Sequence, residues 1–297
     1  MIPSALVTGF LGSGKTTFLK RFTDRNLARR IVYLVNEFSP RDVDAALVAE
    51  TGAENVVSVP GGSIFCQCLA AEFIRHMGMV AERWGDAEGL VIEASGMANP
   101  KVMTRMLAES GLDAHFTLAS IVAVVDPANF LKLCSTLPNI VSQVEAADHV
   151  LLNKVDACGA DLTDQAESRI RSINPRATLF RTVRCDAAVD LFTPRSHDAL
   201  QGDYAKCRDP NYATFSTARP FAPAELAGFA AAFGESIFRI KGWLSGQYVD
   251  YSSHGFEFGP QATEARDEAL VWIVKGQDLP AIKDALHREF GCPCTAG

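Results

Sequence analysis

A chain of 297 residues with 48% apolar and 21% charged side chains can bury a sizeable core, and at roughly 100–200 residues per domain it divides most readily into two. Its formal net charge of −7 repels phosphate backbones and anionic lipid, which argues against nucleic acid or a membrane surface as the main partner. Eight cysteines spread as 66/68, 134, 158, 185, 207 and 292/294 lack the dense spacing of a secreted disulfide scaffold.

The opening MIPSALVTGF has no basic leader, and the longest apolar run, FTLASIVAVVD at 116–126, falls short of a bilayer span. The expectation is a cytoplasmic protein. Apolar, β-branched runs follow in chain order: SALVT (4–8), RIVYLVN (30–36), GLVIEA (89–94), SIVAVVD (120–126), HVLLN (149–153) and ATLFRT (177–182). Runs of this length, separated by helical spacing as in TTFLKRFTDRN and TDQAESRIRSI, predict strands buried on both faces of a parallel sheet. Asp161 or Thr163 is placed to cap the second of those helices. The fold class is thus α/β over 1–190. Pro, Gly, Asp and Ser then interrupt the pattern, predicting a linker over 191–211. Residues 212–297 read as a smaller α+β domain closed by a helix with Pro280 in its first turn.

GFLGSGKT, Gly9 to Thr16, fits the G-x-x-x-x-G-K-[ST] phosphate loop between a strand and a helix. Gly9, Gly12, Ser13, Gly14, Lys15, Thr16 and Thr17 form the expected phosphate cradle. Backbone N–H groups make an anion nest, Lys15 reaches the β- and γ-phosphates, and the Thr16 hydroxyl ligates Mg²⁺. LLNKVD at 151–156 has the N-K-x-D form. Alone, Asn and Asp after a strand form a turn. Downstream of a phosphate loop, Asp156 would accept from guanine N1–H and its amino group, Asn153 would bond the base or brace the loop, and Lys154 would pack along the base. VIEASG at 91–96 ends a strand with Glu93, placed to hold Mg²⁺ or its water or to orient the attacking water, and Gly96, whose N–H would meet the γ-phosphate. Arg184, Cys185 and Asp186 follow the last core strand, where a loop would close the base pocket.

GFLGSGKTT, VNEF with Asp44 downstream, the Cys66/Cys68 pair, IEASGMANP, VVDPANF, QVEAADHVLLNKVD and IFRIKGWL together resemble the CobW-like GTPases, relatives of the HypB and UreG metal-insertion proteins. The resemblance implies a P-loop NTPase domain with a C-terminal α+β domain, cycling between GTP and GDP plus phosphate. It also implies delivery of a transition metal, zinc or cobalt foremost, to a client enzyme or cofactor pathway. It places Glu37 and Asp44 in the first switch, near Mg²⁺ or the metal. That family's usual Gly-Cys-x-Cys-Cys is altered here, with Phe65 before the pair and Leu69 after it. Zinc takes at least three protein ligands, so Cys66 and Cys68 need help, for which Glu37 is the candidate. Cys292 and Cys294 read as a frayed tail or a mobile thiolate arm, and His76 as ordinary helix surface.

No internal arginine finger is identifiable, and such a finger is worth roughly 10³–10⁵ in rate; the expected GTPase is therefore slow. A P-loop kinase or ATPase, an adaptor or activator that transfers no metal, and a thiol redox protein are the rival readings. Self-association is left open.

Overall fold

The computed structural model describes residues 1–36, 55–59, 64–65, 69–197, 200–203, 212–218, 221–252, 254–261, 269–292 and 294–296. They form two compact units, Met1–Cys207 and Arg208–Gly297.

The first unit is built on a seven-stranded sheet: β1 (Ile2–Thr8), β2 (Ile31–Asn36), β3 (Val56–Val59), β4 (Gly89–Glu93), β5 (Phe116–Val125), β6 (His149–Leu152) and β7 (Thr178–Arg181). Their order is β3-β2-β4-β1-β5-β6-β7, and every pairing is parallel. Alternating side chains enter two cores, as the period of two requires. Leu6, Leu34 and Ile92 face one core with Phe73 and Met77, while Val7, Val35 and Val91 face the other with Phe18, Leu19 and Phe22.

The crossovers supply helices α1 (Lys15–Arg25), α2 (Ala70–Arg83), α3 (Met103–Glu109), α4 (Pro127–Leu133), α5 (Pro138–Ala146) and α6 (Ala160–Ile173). The predicted caps of α6 are corrected. The helix starts earlier, with Gly159 at its N-cap and no side-chain cap, so Asp161 and Thr163 lie inside its first turn. The Thr163 hydroxyl there donates back to Gly159 O at 3.2 Å.

Residues 191–197, expected to begin a linker, are fastened to the sheet. The ring of Phe192 occupies the space a Cβ on Gly89 would need, 2.2 Å from it. The Ser120 hydroxyl donates to Leu191 O at 2.7 Å, Arg195 N donates to Ala119 O at 3.0 Å, and His197 Nε2 meets Asp148 Oδ2 at 2.7 Å. Ala119 has no register partner on β1, where the pairing shifts between Ser4 and Ala5, so a bulge presents its carbonyl to Arg195.

The second unit is a six-stranded sheet of order β11-β10-β9-β12-β8-β13. Its strands are β8 (Tyr212–Thr217), β9 (Ile237–Leu244), β10 (Gln247–Ser252), β11 (Gly255–Gln261), β12 (Ala269–Lys275) and β13 (Cys294–Ala296). All its pairings are antiparallel, and the helices are α7 (Pro223–Ala232) and α8 (Leu279–Phe290). Their shared core centres on Trp272, stacked on Phe215 at 5.6 Å and edge-on to Phe229 at 5.8 Å. Its Nε1–H donates to the Thr217 hydroxyl at 3.0 Å.

The frayed-tail and mobile-arm readings of Cys292 and Cys294 are both corrected. Cys292 belongs to this core, and Cys294 opens a strand paired with β8 opposite Thr217. Burial, followed by the neighbouring Cys292, raises the Cys294 thiol pKa, which disfavours the thiolate a metal would need. Among the described residues no helix is long and apolar enough to cross a membrane.

Replacing Trp272 by Ala is expected to destabilise the second unit by about 3–5 kcal/mol, with Trp272→Phe costing clearly less. Urea unfolding of the full chain followed by circular dichroism checks this. A shift in Trp272→Ala below about 1 kcal/mol, smaller than that class of core truncation costs, would count against a core centred on this indole.

Candidate functional site

Parallel strands bring their carboxyl ends to one edge, where ligands bind in open α/β sheets. Leaving β1, the loop 9–14 turns through positive φ at Gly9, Gly12 and Gly14 (143°, 73° and 113°). At Gly14 a Cβ would lie 2.6 Å from Asn153 Nδ2, so both backbone conformation and space demand glycine there. Gly14 also serves as the N-cap of α1 without any side-chain cap, leaving the first-turn N–H groups facing the loop. Lys15 folds over the same loop: its Nζ donates to Gly9 O at 2.9 Å and Phe10 O at 3.4 Å. Thr16 is half-buried and Thr17 exposed.

A second loop comes from β6. Asn153 Nδ2 donates to Ser13 O at 2.8 Å, and its Oδ1 accepts from Cys185 N at 2.8 Å and the Thr182 hydroxyl at 3.2 Å. One carboxamide thus joins the loop after β1, the loop after β6 and the loop after β7. Three non-glycine residues here hold left-handed backbone, Lys154, Arg184 and Cys185, with φ of 61°, 51° and 56°. Such conformations cost of order 1–3 kcal/mol each and gather at functional sites. Lys154 Nζ lies 3.8 Å from Asp126 Oδ2. Asp126 itself caps α4, accepting from Ala128 N and Asn129 N at 3.1 and 3.3 Å. Asp156 and Arg184 are exposed. Asp186 pairs with Arg21 and Arg25. Cys185 is buried with its thiol 3.3 Å from Gly14 O. Burial pushes its pKa up to about 12 against the weaker opposing pull of Lys154 and Arg21.

From β4, Glu93 is buried and Gly96 lies against the loop after β1: a Cβ there would sit 2.5 Å from Leu11 Cδ2. The hydroxyls of Thr8, Ser13 and Ser95 are buried with no hydrogen-bond partner among the described residues. An unmade buried hydrogen bond costs about 1–3 kcal/mol, so a polar ligand at this edge would relieve all three. The hard oxygens of Thr16 and Glu93 suit Mg²⁺.

Residues 3–181 match the family model described as CobW/HypB/UreG, nucleotide-binding domain. The chain belongs to the CobW/HypB/UreG family. It is 28% identical over 205 residues to the zinc chaperone CobW of Pseudomonas aeruginosa, covering 59% of this chain and 55% of that protein. With the zinc chaperone YeiR of Escherichia coli K12 it shares 32% over 159 residues, 52% of this chain and 47% of that one. The chain thus spans about half the length of the curated relatives it matches. A solved structure of Zn(II)-bound YjiA GTPase from E. coli covers 96% of this chain and 98% of its own, at 19% identity and a TM-score of 0.47.

Within this CobW/HypB/UreG-family unit, the expected transition-metal residues Glu37, Cys66 and Cys68, together with Asp44, lie outside the described residues. Among the described residues, no three His, Cys, Asp or Glu side chains gather in a way that could hold a metal. Phe65, standing where the family pattern has glycine, is a core residue whose ring meets Phe73 edge-on at 6.4 Å. Leu69 is the N-cap residue of α2.

Three amide side chains that sequence reasoning did not single out shape the same edge. Asn139 Nδ2 donates to Met97 O at 2.9 Å, and Gln143 Nε2 donates to Gly96 O and Ala98 O at 3.1 and 3.2 Å. They stand one helical turn apart on α5, so one helix face holds the three consecutive carbonyls of Gly96, Met97 and Ala98. The i, i+4 spacing inside PNIVSQVEA was the available signal. Asn36, at the end of β2, is the third.

The raised Cys185 pKa has a signed consequence. The folded state holds the proton above the unfolded thiol's value near 9, so this contribution to stability is intact below that pH and is lost as pH rises toward about 12. Stability measured by urea unfolding should fall over that window, and less steeply in Cys185→Ser. Native Cys185 should also resist thiol alkylation at pH 8; rapid labelling there would contradict its burial.

Proposed function

We propose that this chain binds GTP with Mg²⁺, hydrolyses it slowly to GDP and phosphate, and uses that cycle to hold a transition metal and hand it to a client enzyme or cofactor pathway. Zinc is the first choice of metal and cobalt the second. The observation that carries the nucleotide reading is the Asn153 bridge, which joins the phosphate loop at Ser13 to the N-K-x-D loop and to Cys185. Phosphate and base recognition then share one rigid frame.

In the proposed reaction a water attacks the γ-phosphate in line. Lys15 exchanges the carbonyls of Gly9 and Phe10 for phosphate oxygens, bringing a full positive charge where negative charge develops. The N–H groups of the 9–16 loop hold the β-phosphate, and the Gly96 N–H, one peptide before the carbonyl that Gln143 holds, reaches the γ-phosphate. Thr16 and Glu93 would hold the Mg²⁺, which supplies charge neutralisation between the phosphates. Asp156, exposed at the pocket rim, accepts from guanine N1–H and the 2-amino group. Adenine offers no donor at ring N1.

The metal part of the proposal rests on Cys66 and Cys68, spaced one residue apart in sequence between β3 and α2, on Glu37 directly after β2, and on relatives named zinc chaperones. Thiolates suit zinc. If nucleotide changes metal affinity, metal must change nucleotide affinity by the same factor.

Calorimetric titration should find GTP bound and ATP a poor competitor. Asp156→Asn should weaken GTP by about 10–100-fold, since two hydrogen bonds to a charged acceptor are lost at about 1.5–3 kcal/mol each before water compensates. The same change should favour xanthosine triphosphate, whose 2-carbonyl accepts from the new amide. ATP displacing GTP as well as GTP itself would end the guanine reading. Zinc binding that persists undiminished in the Cys66→Ser, Cys68→Ser double variant would end the thiolate one.

A further inference from the structure

Asn36 is the last residue of β2, and its buried carboxamide holds three separate chain segments. Nδ2 donates to Val59 O at 2.9 Å, at the end of β3. Oδ1 accepts from Ile64 N at 3.1 Å, two residues before Cys66 in sequence. The same oxygen accepts from Ser95 N at 3.3 Å, one residue before Gly96. The amide orientation is forced, because turning it would set an NH₂ against two N–H donors. The pairing of β4 with β1 continues through Ala94 N, which donates to Val7 O at 2.9 Å, and the next amide leaves the sheet for Asn36.

We infer that Asn36 is the positioning residue that couples the nucleotide site to the thiol segment, by making Ile64 N–H and Ser95 N–H share one acceptor. A carbonyl oxygen has two lone pairs, and both are committed here to segments that respond to different ligands. Movement of the Ser95–Gly96 peptide toward or away from a γ-phosphate shifts the adjoining Ala94–Ser95 peptide, whose N–H Asn36 holds; that changes how Oδ1 is shared, and Ile64 feels the change. The coupling travels as hydrogen-bond geometry through a neutral group, without a charged relay. Coupling claims need a shared element that both sites bias, and this carboxamide is such an element. The inference rests on the proposed nucleotide-gated metal site.

The test measures zinc affinity of the full chain by competition with a chelating dye, once with a non-hydrolysable GTP analogue and once with GDP. In the unsubstituted protein the ratio of the two affinities should fall in the ~5–150-fold range of coupled sites. In Asn36→Ala it should collapse to near one while both forms still bind zinc. Asn36→Asp keeps an acceptor for both N–H groups but loses the donor to Val59 O, so it should restore part of the ratio that Asn36→Ala loses. An unchanged ratio in Asn36→Ala, or a collapse in Asn36→Asp equal to that in Ala, overturns the inference alone. A ratio of one in the unsubstituted protein overturns the functional reading and the inference with it. Should Asn36→Ala fail to fold, hydrogen exchange on the unsubstituted, GDP-bound chain decides. Zinc should alter protection of the Ser95 amide together with that of Ile64, and a change at Ile64 that leaves Ser95 untouched refutes the coupling.

Discussion

All seven strands of the first unit run the same way, and the site follows from that constraint. A parallel sheet must send every strand's carboxyl end to one edge, so the loops after β1, β4, β5, β6 and β7 converge whatever their sequences. β1 lies centrally, with β4 on one side and β5 on the other. The phosphate loop is therefore flanked by Glu93 on one hand and Asp126 on the other, and α1 starts at Lys15 directly from that loop. Burial on both faces fixes the register, since a slip by one residue would exchange the two cores.

Convergence alone would leave five flexible loops, and what rigidifies them is a set of neutral carboxamides. Asn153 ties three loops together, Asn36 joins three segments, and Gln143 with Asn139 holds the carbonyls from Gly96 to Ala98. Asn174 does the same at the ends of α5 and α6, donating to Val144 O and Ala147 O and accepting from Ala177 N. A carboxamide both donates and accepts, so one side chain satisfies a carbonyl and an N–H that have lost their sheet or helix partners. Buried without charge, it avoids the desolvation cost of an ion.

The phosphate loop, Asn153 and Glu93 were legible in the sequence because backbone chemistry restricts them to few residue types at fixed spacing. Gly14 has neither the φ nor the space for a Cβ, and such a requirement leaves a mark. The role of Asn36 left none: it stands in the VNEF stretch that carries the resemblance, but its three partners lie 23, 28 and 59 residues away. The stretch from 191 to 197 was misleading for a related reason. Asp190, just before it, does make a turn, accepting from Phe192 N and Thr193 N, yet Phe192 packs over Gly89. Likewise Cys292 and Cys294 carry a metal-like spacing, but α8 ends at Gly291 in the left-handed conformation, and the chain turns back to pair with β8.

A site braced by neutral groups responds differently from one braced by ions. Ion pairs near bound triphosphate would compete for Lys15 and would change strength as the γ-phosphate leaves. Carboxamides keep their hydrogen-bonding capacity through that change, and only their geometry shifts. In the proposed nucleotide complex, bound charge would be read by Lys15 and the loop N–H groups, while Asn36 and Gln143 would read position. The strained backbone at Lys154, Arg184 and Cys185 belongs to the same division. It lies on the side proposed for the base, with Asn153 and the buried Cys185, whereas Ser95 and Gly96, on the side proposed for the γ-phosphate, are held by Asn36 and Gln143 at 3.3 and 3.1 Å. On the proposed reading, the half at β6 and β7 would set where the nucleotide sits, and the half at Ser95 and Gly96 would register whether the γ-phosphate is present.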